Sequence, residues 1–185
     1  DMKFMHVSAL LSLVMIVSSG CAAPPSSALA SESERAVSVS NFDRIKALTG
    51  DWYLVGGNRL GKELAPDLAK PFLSYEISSG GHSVIEKLFV STPKEMTTVY
   101  YLSNGHLMMD HYCSLGNQPR MVANPSAQGE IAFQLVDVGN MTNPDDLHIS
   151  SHALEFRASG ELVAHWGATR DQKAVSGSIY RVKQR

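Results

Sequence analysis

The sequence predicts an all-β domain built as an antiparallel meander, and three observations predict it. Beyond residue 50 the chain breaks into short runs rich in β-branched and aromatic residues, tight-turn residues separate the runs, and no long amphipathic helix competes with them. The runs are 52–57, 72–77, 83–90, 96–102, 106–113, 130–137, 148–157, 161–167 and 176–182. Between them lie Gly80-Gly81, Thr92-Pro93, Asn104-Gly105, the loops 125–129 and 139–146, and Ser159-Gly160, all of hairpin or turn composition. About 8–10 short strands joined in this way close into a barrel or fold into a sandwich.

The meander is preceded by "NFDRIKALTGDWYLVGG". Here Asn41 or Asp43 can cap a short helix whose Phe42, Ile45 and Leu48 share one face, with Gly50 to stop it. The folded domain is therefore expected over 41–185. Residues 22–40, "AAPPSSALASESERAVSVS", have almost no large apolar side chain, so burial cannot offset their ordering entropy and a disordered tether over 21–40 is expected. A flexible chain of that kind spans about 5–6 Å × √n for n residues, enough to hold a domain near a surface while leaving it free to turn.

Residues 1–20 have the layout of an export signal: Lys3, an apolar run over 4–17 interrupted by His6, Ser8 and Ser12, then "SSG" before Cys21. The run is short for a transmembrane span. Its small-residue ending resembles the lipobox of bacterial lipoproteins, which implies a lipidated Cys21, a membrane contact through that anchor, and residence on the periplasmic side of a bacterial cell envelope. An ordinary secretory signal cleaved nearby is the alternative. With Cys21 lipidated, Cys113 has no intramolecular disulfide partner, because the chain holds 2 cysteines. Without lipidation a Cys21–Cys113 bridge stays open.

A net charge of −2, with the charges spread singly along the chain, argues against a nucleic-acid partner. The opening segment "FDRIKALTGDWYLVG" resembles the start of lipocalins, where a helical turn leads into Gly-x-Trp on the first strand, here Gly50-Asp51-Trp52. That resemblance implies a closed, calycin-type barrel similar to lipocalins and fatty-acid-binding proteins. It also implies that Trp52 closes the floor under an arginine of the last strand, Arg181. "MTTVYYL" followed by "HYCSLGNQPRM" is similar to a group of bacterial exported proteins of lipocalin-like barrel type, and that likeness supplies no reaction. Fatty-acid-binding barrels hold a carboxylate with Arg-x-Tyr on the last strand; Tyr180 and Arg181 are adjacent here and must face opposite ways.

On a strand, residues two apart share a face, so Leu107, Met109, His111 and Cys113 point inward beside a turn carrying Asn117, Gln118 and Arg120. Glu86 lies between Val84 and Leu88 on one face, and Thr98 and Tyr100 lie between Met96 and Leu102 on another. The cluster admits four readings: a cysteine nucleophile whose base, His111, lies along the same strand with no third orienting group; a metal site with His-x-Cys, to which His148 and His152 add ligands only if both point inward and which no CxxC or HExxH spacing supports; a haem axial histidine; or fixed polar contacts at a cavity mouth. The last has the simplest requirements, and it makes His111, Cys113, Arg120, Glu86, Tyr100 and Gln118 the candidate ligand-binding residues, with no cofactor, metal or catalytic set assigned. Arg120 is the candidate for an anionic head group, or else pairs with Asp110 or Asp137. The function expected is binding of a small, largely apolar or amphipathic ligand. The alternatives are an enzyme using His111 as acid/base with Glu86 or Arg120, and an envelope interaction protein whose barrel is packed solid.

Overall fold

A computed structural model describes residues 29–125 and 129–185. The export segment, Cys21 and the tether up to residue 28 lie outside the described residues. A helix α1 (Glu32–Lys46) is followed by β1 (Gly50–Arg59), β2 (Lys62–Leu64), β3 (Leu73–Ser78), β4 (Ser83–Leu88), β5 (Met96–Ser103) and β6 (His106–Tyr112). Then come β7 (Gln118–Ala123), β8 (Glu130–Gly139), β9 (His148–Phe156), β10 (Glu161–Arg170) and β11 (Lys173–Lys183). Neighbouring strands pair antiparallel, and β11 returns to pair with β1, so ten strands form a closed barrel with β2 attached outside the ring along the end of β1. The expected all-β barrel with a single helix before it is what the chain forms.

The period of two sets the inner face. Trp52 and Leu54, Leu73 and Tyr75, Leu107 and Met109, Ile131 and Phe133, Leu162, Ala164 and Trp166, and Tyr180 and Val182 are buried in one cluster. Closure brings the β1 and β11 backbones close: a Cβ at Gly57 would fall on the carbonyl oxygen of Ile179, and its φ of 139° is one that only glycine adopts easily.

Three expectations are corrected. The helix begins at Glu32, so residues 32–40 are helical where a tether was expected. Ser31, not Asn41 or Asp43, is the cap, through a capping box in which Ser31 and Glu34 satisfy each other's backbone amides. Phe42, Ile45 and Leu48 are buried as expected and carry the helix onto the barrel. Second, "QPRMVA" is strand β7 and the turn is confined to Cys113–Asn117, closed by the Cys113 amide on the Asn117 carbonyl. Third, Arg181 does not cover Trp52. Its alternation with Tyr180 and Val182 turns it outward, where it reaches the Val55 carbonyl at 3.4 Å and Glu161 at 3.9 Å. The Trp52 indole instead donates to the Leu48 carbonyl at 2.7 Å, so the helix end, not an arginine, caps the tryptophan.

The strand directions give the barrel two distinct ends. The β5–β6 turn, the start of β1 and the ends of β9 and β11 lie at the end crossed by α1, where Ala30 just before the helix donates its N–H to the Asn104 carbonyl and Arg44 of the helix stacks on Phe156. The end of β1, the β4–β5 connection, the β6–β7 turn and the β8–β9 loop lie at the other.

Candidate functional site

The interior opens at the end opposite α1, in a pocket of about 120 Å³. Leu88, Met96, Ile149, Trp166, Ala168 and Tyr180 form its walls; His111 of β6 and Cys113 just beyond that strand line it; Arg59, Leu60, Leu115 and Leu147 stand at its mouth. Larger depressions lie on the outside, about 590 Å³ over β10 and β11, 800 Å³ against α1, 520 Å³ along the β8–β9 loop and 570 Å³ beside Gln118 and Arg120, and none of these includes His111 or Cys113.

His111 is 1 % exposed. Register places it directly across from Thr98, whose hydroxyl is 2.9 Å from the ring Nδ1. Nε2 is buried and has no hydrogen-bond partner among the described residues, and the same holds for the indole nitrogen of Trp166, whose ring centroid is 4.7 Å from that of His111. Burial pulls the imidazole down to about 4, so the ring is neutral at neutral pH. One pleat along, the Cys113 thiol lies 3.9 Å from the Met96 sulfur. Burial pushes the thiol up, and the backbone amides of Leu115 and Ser114, directed at the sulfur, oppose that.

Below the pocket runs a buried polar chain. The Tyr100 hydroxyl donates to Glu86 at 2.7 Å and lies 3.1 Å from His152 Nε2, whose Nδ1 faces the His165 carbonyl at 3.0 Å. The His152 ring stacks on Trp166 with centroids 3.9 Å apart. Burial pushes the Glu86 carboxyl up to about 7, and the bond from Tyr100 lowers it only in part; burial likewise takes His152 down to about 3. The Tyr75 hydroxyl approaches the same carboxyl without meeting hydrogen-bond geometry.

The six residues singled out in sequence thus separate into three places. His111 and Cys113 line the pocket. Glu86 and Tyr100 are inside the barrel but bonded to each other beneath it. Arg120 and Gln118 are outside. Arg120 belongs to a strand, and alternation with the buried Pro119 and Met121 turns it to solvent, where it pairs with Asp110 at 2.9 Å and Asp137 at 3.8 Å, its side chain 47 % exposed. Gln118 is spent on the Gly116 carbonyl. Neither Arg120 nor Glu86 bonds to His111, so the acid/base pairs considered from sequence are not assembled.

Sequence reasoning missed Arg59 and the role of Met96, and it weighed His152 only with His148 as a further metal ligand should both point inward. Arg59 ends β1 at the mouth with its guanidinium 4.6 Å over the Phe89 ring. Its signal was only a lone basic residue before a Leu-Gly turn. His152 shares the inner alternation of β9 with Leu154, which was legible once the direction of that face was known.

What fold and site define is a closed antiparallel barrel with a small cavity at one end. No protein-family model matches the chain, and no curated protein matches it, so the chemistry rests on this geometry alone.

Proposed function

We propose that the protein is an exported, lipid-anchored envelope barrel of lipocalin-like, calycin type that reversibly binds a compact, largely apolar ligand, or the apolar end of an amphipathic one. The pocket carries this reading. Its walls are aliphatic and aromatic, its buried end offers two unpaired polar atoms, His111 Nε2 and Trp166 Nε1, and its mouth carries the exposed Leu60 and Leu115 beside Arg59. Unpaired buried polar atoms are costly, and a ligand that bonds them removes that cost.

Size sets the ligand class. A drug-sized molecule needs roughly 300–1,000 Å³, and about 120 Å³ is available. An apolar cavity of roughly 150 Å³ holds a benzene ring, so the occupant is a small ring, a short chain or the tip of a longer molecule. With an amphipathic ligand, the apolar end enters and an anionic head meets Arg59.

Toluene titrated into the protein, followed by heteronuclear NMR, should give saturable shifts for residues of the pocket. Ala168→Leu fills the wall and should weaken toluene binding about tenfold or more, the size expected when roughly 1.4 kcal/mol of contact is lost. Shifts absent from the pocket, or unaffected by Ala168→Leu, would remove the binding reading. The anchor is tested apart from it: Cys21→Ser should abolish membrane fractionation and raise no change in the fold, whereas unchanged fractionation and mature mass would leave plain export.

A further inference from the structure

We infer that the sulfur-lined corner of this pocket is a site for one soft monovalent metal ion, Cu(I) by class, held by Cys113, Met96 and His111. The inference takes the pocket of the proposed function as its place and adds a second class of ligand to it.

The observations are geometric. Met96 and Cys113 continue the β5–β6 register beyond Thr97 and Tyr112, which puts the two sulfurs face to face at 3.9 Å. Two sulfurs at that spacing can share one ion about 2.3 Å from each, the length of a zinc–thiolate bond, with an angle of about 116° at the metal. That angle suits three-coordinate or distorted tetrahedral ligation. The third donor comes from the same face of β6: His111 lines the same pocket, and its Nε2 is buried and unpartnered. Thr98 holds Nδ1 at 2.9 Å. In the tautomer with the proton on Nδ1, the ring donates to Thr98 and leaves the Nε2 lone pair free to ligate, the usual arrangement of a metal-binding imidazole with its outer partner.

The donor set selects the ion. A thiolate, a thioether and an imidazole are soft to borderline ligands, and thioether ligation favours Cu(I) over zinc or harder cations. Among the described residues no carboxylate lines the pocket, so they give calcium and magnesium no carboxylate cage there. Charge points the same way. Binding releases the Cys113 proton to solvent, and one thiolate with one monovalent cation is neutral overall, whereas a divalent ion would leave a net charge among apolar walls. Among the described residues no group of three or more His, Cys, Asp or Glu gathers for a metal. Cys113 and His111 supply only two donors of those four types; the remaining donor is the Met96 thioether.

The test uses the full chain carrying Cys21→Ser, in which Cys113 is the remaining thiol of the 2 in the sequence. Reduced, metal-free protein is titrated anaerobically with Cu(I) against the chromogenic chelator bicinchoninate. One equivalent should be retained, with X-ray absorption showing two sulfurs and one nitrogen around copper. Cys113→Ser should weaken retention about 100-fold or more and Met96→Leu about tenfold, at least the loss typical of removing an outer-shell partner. Both changes are at partly exposed positions and should leave the circular dichroism spectrum unaltered. No retention against the chelator, equal affinity in both variants, or fewer than two sulfurs around copper would each overturn the inference. Toluene binding by the metal-free protein is read separately: if it persists when copper binding fails, only the metal site is lost, and if it fails while copper is retained as described, only the apolar-ligand reading is lost.

Discussion

At Glu86 a carboxyl is buried beside the Tyr100 and Tyr75 phenols, and its protonation is a stability term. In the fold it titrates near 7, against about 4.5 when free. Between those values the native protein keeps a proton that the unfolded chain has released, so stability falls as pH rises through this window and levels off above it. The contribution is complete below about 4.5 and lost by about 7. Glu86→Gln keeps the carbonyl that accepts from Tyr100 and cannot ionise. Its advantage over the wild type should therefore grow with pH to roughly 3 kcal/mol, at about 1.4 kcal/mol per pH unit, and be flat above neutrality. Urea denaturation of both proteins from pH 4.5 to 8 measures the difference. His111 and His152, whose folded values lie below the free imidazole, act in the opposite direction and lose stability as pH falls from 6.5 toward 4 and 3. Both remain in the variant, so subtracting the two curves isolates the carboxyl. A constant difference would mean that Glu86 is ionised throughout.

Among the elements, α1 and the first strand meet at Trp52, and here the resemblance to lipocalins and the structure divide. Trp52→Ala should cost about 3–5 kcal/mol, the usual loss for a buried aromatic, because it removes core packing and the bond to Leu48. Arg181→Ala, if the arginine closed the floor, would cost a comparable share; facing solvent as it does, it should change stability by about 0.5 kcal/mol or less. Thermal unfolding of the two variants side by side checks the pair. The elements that were legible in sequence are those whose face is decided by alternation alone, such as Leu107-x-Met109-x-His111 and Val84-x-Glu86-x-Leu88. β7 was not, because Gln118-Pro119 directly after Gly116-Asn117 continues a turn composition, and its strand character comes only from being paired on both sides by β6 and β8. The first half of α1 was hidden by its polarity, although Ser31-x-x-Glu34 is the capping-box signal that marks its start. His111 and Cys113 could be placed together from their spacing. Arg120 could not be placed, since the same register that brings it beside Asp110 also decides that it faces outward.

For the whole molecule, closure through β1 and β11 removes the free edge that an open sheet would expose and leaves only the three-residue β2 outside the ring. It also separates two ends with different work: one sealed by α1, Trp52 and Leu48, the other open around His111, Cys113 and Arg59. Along β11, Lys183 pairs beside Tyr53 at the sealed end and Val175 pairs with Ala168 at the open one. Eight residues of strand at about 3.3 Å each put roughly 26 Å between them. Changes that far apart, with no shared partner, add to within about 0.3–0.5 kcal/mol. Trp52→Phe, which loses the bond to Leu48 but keeps an aromatic ring, should therefore destabilise by the same amount whether or not Ala168→Leu is present. Toluene affinity should depend on Ala168→Leu and be unmoved by Trp52→Phe. A double-variant cycle in urea, run with and without toluene, measures both. An interaction free energy above about 1 kcal/mol would show instead that the stacked His152, Trp166 and His111 rings carry strain from the helix end to the pocket.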